Sequence, residues 1–389
     1  MSDSSPKPYL LPVFLGSAPF VFINFGLPIY ARALDANAVV IGGMYTAFML
    51  TMLLVRPVVG WALDRFGRKW FFACAFLFYA GAMLFFSSAN TIVDFYVARF
   101  LQGLGASFMW VSARTIVADL STEADRGREM GRMQALSVRG SMVGAFYGFT
   151  LLSMFATPRA WQLAFLGYAA AAIVGFVASI ARVEETRQVH EHVGLSRLEF
   201  SPPFTKLLVI VFLSGFAGAL IEPIYLIFLQ DKFELPIMVL AMAFFPAGIV
   251  FAILPRYAGA WSDRIGRAPV IVVGIAIAAM VSGGLPWLPH ILWVAVLYTL
   301  SAVGWAMANP AQDALLGSMT DATNRGRMFG YKEAAASVGA AFGPLVGGAI
   351  YDYWRPEYAF LANGALLFAT AGLFWYWFGA RRTRLASGF

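Results

Sequence analysis

The sequence predicts an all-α membrane protein, with twelve transmembrane helices in two six-helix pseudo-symmetric halves. Three observations predict it. Sixty per cent of the 389 residues are hydrophobic and only 13% are charged, about half the charge of an ordinary soluble domain. Apolar runs of about 20 residues, long enough to cross a hydrocarbon layer, recur along the whole chain. Short motifs of the first half return in the second at a constant offset of 199 residues.

The runs lie at roughly 8–33, 40–63, 69–88, 91–119, 129–156, 159–182, 204–231, 236–262, 268–288, 290–319, 327–352 and 356–380. Each reads as one span, numbered here 1 to 12. The longest polar stretch runs from Arg182 to Pro203 and divides the spans six and six. The expected organisation is therefore an amino-terminal half at 1–182, a cytoplasmic linker at 183–203 and a carboxy-terminal half at 204–389. The chain opens on a short polar segment that runs straight into span 1, with no short apolar core and small-residue cleavage site, so a cleaved signal peptide is not expected.

Composition excludes several classes. Net charge is +7, but nucleic-acid binding needs a basic stripe on a soluble fold. Here the basic residues sit in short loops. The single cysteine, Cys74, lies inside an apolar run, which rules out a disulfide framework. His190, His192 and His290 give no metal-ligand pattern, and no nucleotide-binding loop, zinc motif or nucleophile elbow appears. No enzyme activity, cofactor or metal is expected.

Loop charge sets orientation. If both termini face the cytoplasm, the outer loops hold Arg32, Arg159, Lys232 and Arg355, and the other loop cations fall on the inner side. Arg56, Arg99, Arg114, Arg139 and Arg256 lie within spans.

The repeat is specific. Gly60-Trp61-Ala62-Leu63-Asp64-Arg65-Phe66-Gly67-Arg68 returns as Gly259-Ala260-Trp261-Ser262-Asp263-Arg264-Ile265-Gly266-Arg267. Arg126-Gly127-Arg128 returns as Arg325-Gly326-Arg327, and Gly144 and Gly148 return as Gly343 and Gly347. Parallel repeats related by an axis along the membrane normal place a substrate site near the midplane between them. Glycines at 60 and 67 permit close helix approach and a tight turn. Asp64 can accept from loop donors and from a helix amino end.

These residues resemble the major facilitator superfamily over nearly the whole chain. Gly60, Asp64, Arg65, Gly67, Arg68 and Lys69 match its Gly-x-x-x-Asp-Arg-x-Gly-Arg-Lys loop, and Gly259, Asp263, Arg264, Gly266 and Arg267 match it again, with Ala268 in the last place. Arg99-Phe100-Leu101-Gln102-Gly103-Leu104-Gly105 resembles the family's buried arginine followed by Gly-x-Gly. The resemblance implies a conformational latch at the two loops and a packing and proton-relay role for Arg99. Within the family the chain looks most like the drug:proton antiporter branch. That branch's Gly-x-x-x-Gly-Pro signature has Ala145 in place of proline in span 5, and the full pattern stands in span 11 as Gly339, Gly343, Pro344, Gly347 and Gly348.

An ionisable group inside a span costs roughly 3 kcal/mol or more, and so marks a functional candidate. Glu222 precedes Pro223 in the middle of span 7. It is a candidate coupling proton carrier, with a structural hydrogen bond or a direct contact to a cationic group as alternatives. Arg114 and Asp313 are 199 residues apart. They are read as a cross-domain ion pair, as separate substrate ligands, or as partners of groups within their own halves; Asp313 is also a proton-coupling candidate. Arg139, deeper in its span, can bind an anionic part of a substrate or pair within its half. Lys332 and Glu333 read as an interfacial anchor. Asn24, Tyr30, Trp110, Tyr147, Tyr225, Trp305, Asn309 and Gln312 are candidate cavity-lining residues.

The function expected is secondary active transport of a small organic solute by alternating access, as proton-coupled export. Uptake by a proton symporter or facilitator and lipid translocation are the alternatives. The expected partners are a small-molecule substrate, protons and membrane lipid, without nucleic acid, for a monomer in the cell (inner) membrane.

Overall fold

In the computed structural model, residues 7–122, 125–187, 200–255, 257, 262, 264–319 and 325–379 are described. The described residues are overwhelmingly helical. The helices are α1 (Leu10–Ser17), α2 (Pro19–Arg32), α3 (Ala38–Phe66), α4 (Lys69–Ser88), α5 (Ile92–Asp119), α6 (Arg126–Met154), α7 (Thr157–Arg182), α8 (Pro202–Phe233), α9 (Ile237–Met242), α10 (Phe245–Ile253), α11 (Arg267–Gly284), α12 (Ile291–Ser318), α13 (Arg325–Tyr353) and α14 (Pro356–Phe374). Ten of the described helical segments are long and apolar enough to cross a membrane.

Two expected spans are segmented. Span 1 becomes α1 and α2, meeting at Ala18 with Pro19 in the first turn of α2. Proline lacks the N–H that a continuous ladder needs. Span 8 is broken in its first half into α9 and α10, again with a proline in the first turn of the second piece. It falls outside the ten apolar segments, as does α5, which carries Asp94, Arg99, Arg114 and Asp119 along its length.

The chain forms two compact units, 1–36 with 47–195, and 37–46 with 196–389. In the amino-terminal unit α4 packs on α5 and α7, and α1 and α2 pack on α6. Phe72, Phe76, Tyr79, Met109 and Ile116 form part of its buried core. Trp161 anchors a second aromatic group, donating its indole N–H to the Phe86 carbonyl at 2.7 Å. The rings of Phe22, Phe86, Phe95 and Phe165 surround it.

The α1–α2/α6 contact depends on glycine. A Cβ at Gly140 or Gly144 would run into the backbone carbonyls of Phe14 or Ala18, and one at Gly148 would meet the Phe22 ring. In the carboxy-terminal unit α13 meets α8 by the same device. There Gly339, Gly343 and Gly347 lie against the carbonyls of Phe212, Phe216 and Leu220. Each of the three positions is 199 residues from its counterpart, so the sequence repeat is a repeat of helix packing. Small residues are what let membrane helices approach this closely.

The first turns of α3 belong to the carboxy-terminal unit. Their amino end is capped by Asp352 of α13, which accepts from the Ala38 N–H at 3.0 Å and the Val39 N–H at 2.7 Å. A carboxylate at a helix amino end satisfies donors that have no intrahelical partner and complements the helix dipole.

Candidate functional site

The loop joining α3 to α4 is the most completely bonded polar site of the amino-terminal unit. Gly67 has φ 98°, a left-handed conformation that glycine adopts without a steric penalty. It lets the chain reverse and buries Arg68, which is only 6% exposed. The Arg68 guanidinium reaches three acceptors: Asp119 at the end of α5 at 3.2 Å, the Leu63 carbonyl at 3.3 Å and Asp64 at 3.7 Å. A buried guanidinium is tolerated when paired in this way.

The amino end of α4 is taken by a residue that sequence reading missed. Glu185 accepts from the Arg68 N–H at 2.8 and 3.0 Å and from the Lys69 N–H at 3.2 Å. Thr186 donates to Asp119 at 2.9 Å, so the start of the linker is bonded to the loop at two points. Burial works to raise the Glu185 carboxyl. The backbone N–H groups of Arg68, Arg187 and Lys69, with the Arg68 charge, outweigh it and hold the group below its ordinary value.

Asp64, read as an acceptor for loop donors and a helix amino end, is exposed and faces the guanidinium of Arg68 in the loop, while the amino end of α4 is taken by Glu185. Gly60 was expected to allow close helix approach, but a Cβ there would meet no described atom within 4 Å. The tight turn is at Gly67. Arg65 lies over the Trp61 and Phe66 rings, 5.7 Å from each centroid. In the second copy Gly266 repeats the positive φ, at 106°. Arg264 and Arg267 flank it, while Gly259 and Asp263 lie outside the described residues. Ser318 stands where Asp119 stands in the first copy.

Within the helices of the amino-terminal unit, Arg99 is buried in α5. It donates to Gln102 Oε1 at 2.9 Å and lies over the Phe48 ring at 4.9 Å. Gly103 and Gly105 face Thr51 of α3 and Tyr79 of α4, so the Gly-x-Gly pair seats α5 between two neighbours. Arg114 and Arg139 are exposed on α5 and α6, and Asn24 is exposed on α2. Trp110 packs against the core. Tyr147 donates to the Leu163 carbonyl at 3.1 Å and meets Tyr168 edge to face. Tyr30 stacks on Trp161 at 4.4 Å. The contacts of both tyrosines lie inside their own unit.

In the carboxy-terminal unit Glu222 is exposed on α8, one residue before the buried Pro223, and lies within electrostatic range of Tyr298 of α12. One turn further, the buried Tyr225 is ringed by Phe244, Tyr298 and Phe360 at centroid distances of 5.5, 5.3 and 5.7 Å. The structure thus brings two of the sequence candidates, Glu222 and Tyr225, to one aromatic cluster. Asp313 forms an ion pair with Lys332 of α13. Lys332 belongs to the same half as Asp313. Gln312, beside it, is buried, and Asn309 is exposed one turn earlier on α12. Among the described residues no group of three or more His, Cys, Asp or Glu is placed to hold a metal.

Comparison with known proteins gives a consistent answer. The model of the Major Facilitator Superfamily matches residues 10–318 and, in a second match, 257–387. Multidrug resistance protein 1 of Bacillus subtilis is 26% identical over 362 residues, covering 89% of this chain and 90% of that protein. Multidrug resistance protein 2 of the same organism is 23% identical over 383 residues, covering 94% of each. Among solved structures, a bacterial homologue of the human lysosomal transporter Spinster, in an inward-facing and occupied conformation, has a TM-score of 0.78 at 14% identity. It covers 95% of both chains.

Proposed function

From the premise that the chain belongs to the Major Facilitator Superfamily, and is therefore an integral membrane transporter of a small-molecule substrate rather than an enzyme, we propose that it is a proton-coupled exporter of small organic solutes. It works by alternating access, from the cell (inner) membrane, as a monomer with both termini cytoplasmic. The names of the two Bacillus subtilis relatives support export of drug-like solutes.

The observation that carries the proton coupling is Glu222. It is an accessible carboxylate on a membrane-spanning helix, next to a proline and beside a tyrosine. An ionisable group on a membrane-spanning helix is costly and marks a functional candidate, and a proline within the helix frees a carbonyl and permits bending. Asp313 with Lys332 is a second protonatable pair, and Arg99 a fixed positive charge that biases proton transfer. Asn24, Trp110, Arg114, Arg139, Tyr147, Tyr225, Asn309 and Gln312 are the proposed contacts to solute. The two Gly-Arg loops act as the conformational latch: Gly60, Asp64, Arg65, Gly67 and Arg68 in the first half, Gly259, Asp263, Arg264, Gly266 and Arg267 in the second.

The test is accumulation of a labelled solute in proteoliposomes with an acid interior. Accumulation above the outside concentration that collapses when the pH gradient is dissipated supports antiport. Equilibration that ignores the gradient identifies a facilitator, and accumulation only with an alkaline interior identifies a symporter.

A further inference from the structure

The repeat separates what the fold demands from what it does not. The glycine seats on α6 and α13 occur in both copies. The crossing at the amino end of α3 has no such second copy.

α3 is divided between the two units. Residues 37–46 belong to the carboxy-terminal unit and residues 47–66 to the amino-terminal one, although the helix runs unbroken from Ala38 to Phe66. Its first turns lie against α13. A Cβ at Gly42 would run into the Pro344 carbonyl, and one at Gly348 into the Ala38 carbonyl. Beside this seat Asp352 uses both carboxylate oxygens. Its Oδ1 accepts from the Ala38 N–H at 3.0 Å and its Oδ2 from the Val39 N–H at 2.7 Å. α13 itself is fixed: Gly339, Gly343 and Gly347 seat it on α8, and Tyr351 donates to Asp231 in the last turn of α8 at 3.1 Å.

The other copy keeps none of these residues. At an offset of 199, Ala241 stands for Gly42, Ala145 for Pro344, Phe149 for Gly348 and Ser153 for Asp352. The stretch that corresponds to the first turns of α3 is broken into α9 and α10. A close seat with a carboxylate on two helix-end N–H groups is therefore an addition to the shared fold. It holds through charge and the helix dipole. Asp352 is only half-buried, so water can take over its bonds, and such bonds have a small net worth. That suits a contact that must open.

We propose that Asp352, with the Gly42–Gly348 seat, is a releasable clamp on the first turns of α3, which sets the balance between a held and a freed position of that helix end. The proposal rests on the carrier reading above, in which this end of α13 faces the outside and the clamp opens there.

The test is labelling of one cysteine buried in the crossing. Ala38 is 4% exposed, and Ala38→Cys is made together with Cys74→Ala, so that it is the only thiol. The full-length protein in lipid nanodiscs is reacted with a fluorescent maleimide. This protein labels slowly but completely, because the clamp opens. Adding Asp352→Asn replaces one acceptor oxygen by an amide nitrogen that faces a backbone donor. Labelling then becomes at least about fivefold faster, which is about 1 kcal/mol in the clamp equilibrium. Gly42→Ala keeps Asp352 but pries the helices apart, and has the same effect. Gly60→Ala, on the same helix in open space, has none. A protein that never labels, or one whose rate neither Asp352→Asn nor Gly42→Ala changes, overturns the clamp. So does a rise in rate that only follows a fall in Tm, which would assign Asp352 to fold stability. If Asp352→Asn does not fold, Gly42→Ala decides in the same way. Labelling needs no solute, so the two readings fail separately. A clamp that opens as described without proton-driven transport defeats antiport and leaves the clamp standing; proton-driven transport with unchanged labelling does the reverse.

Discussion

The carboxylate of Glu185 closes the amino end of α4 by accepting two contacts from the Arg68 N–H, at 2.8 and 3.0 Å, across 117 residues of sequence. The same arginine sends its guanidinium to Asp119. One residue therefore joins the loop, the end of α5 and the start of the linker.

Glu185→Gln removes the charge at that helix end and lowers stability by about 1 kcal/mol, the ordinary size of a cap with its dipole term. The Glu185 carboxyl sits below its ordinary value. Its contribution is thus complete above the unfolded-state carboxylate range and is lost as pH falls through the folded value. Melting curves of wild type and Glu185→Gln from pH 7 to 3 should show a constant gap that closes on acidification.

Gly144→Val places a carbon bearing two methyl groups against the Ala18 carbonyl, a backbone group that cannot rotate away. The expected loss exceeds about 3 kcal/mol, at the upper end of overpacking effects, and is read as a fall in folded yield and Tm. Gly343→Val, its repeat counterpart against Phe216, should behave alike. Gly60→Ala, with open space around it, should be neutral or gain up to about 1 kcal/mol from helix propensity.

The Asp313–Lys332 pair predicts an asymmetry. The Lys332 side chain is 12% exposed and that of Asp313 48%. Asp313→Asn leaves a mostly buried ammonium without its anion and costs about 3 kcal/mol. Lys332→Met leaves a half-exposed carboxylate that water can serve, and costs about 1 kcal/mol. Thermal melts of the two variants and of the double variant test the order, with the double variant nearer to Lys332→Met.

The spans and the packing repeat were legible in the sequence because both are local. Hydrophobic length marks ten of the described helical segments. The glycines at 140, 144 and 148 return at 339, 343 and 347 because each half must bring the same two helices equally close. Partner choice was not legible. Nothing near Glu185 marks it as the cap of a helix that starts at Lys69, and Lys332 reads as a membrane-surface anchor until α12 and α13 place it on Asp313. Gly60 shows the converse. It matches a motif, yet no described neighbour comes near it, while the turn that needs glycine is at Gly67. The split of span 1 at Ala18 is marked in the sequence only by Pro19, one of several prolines in that run, and Pro28 lies inside α2 without dividing it.

The central claim is that Glu222 carries the coupled proton, and one comparison tests it most directly. Wild type and Glu222→Gln are reconstituted side by side, and each is measured for solute exchange without a pH gradient and for solute accumulation driven by one. The account predicts that the glutamine variant still exchanges solute, since the carrier still alternates, but no longer accumulates it. A variant that accumulates solute as the wild type does would contradict the assignment, and so would one that loses exchange together with accumulation, which would make Glu222 a solute ligand.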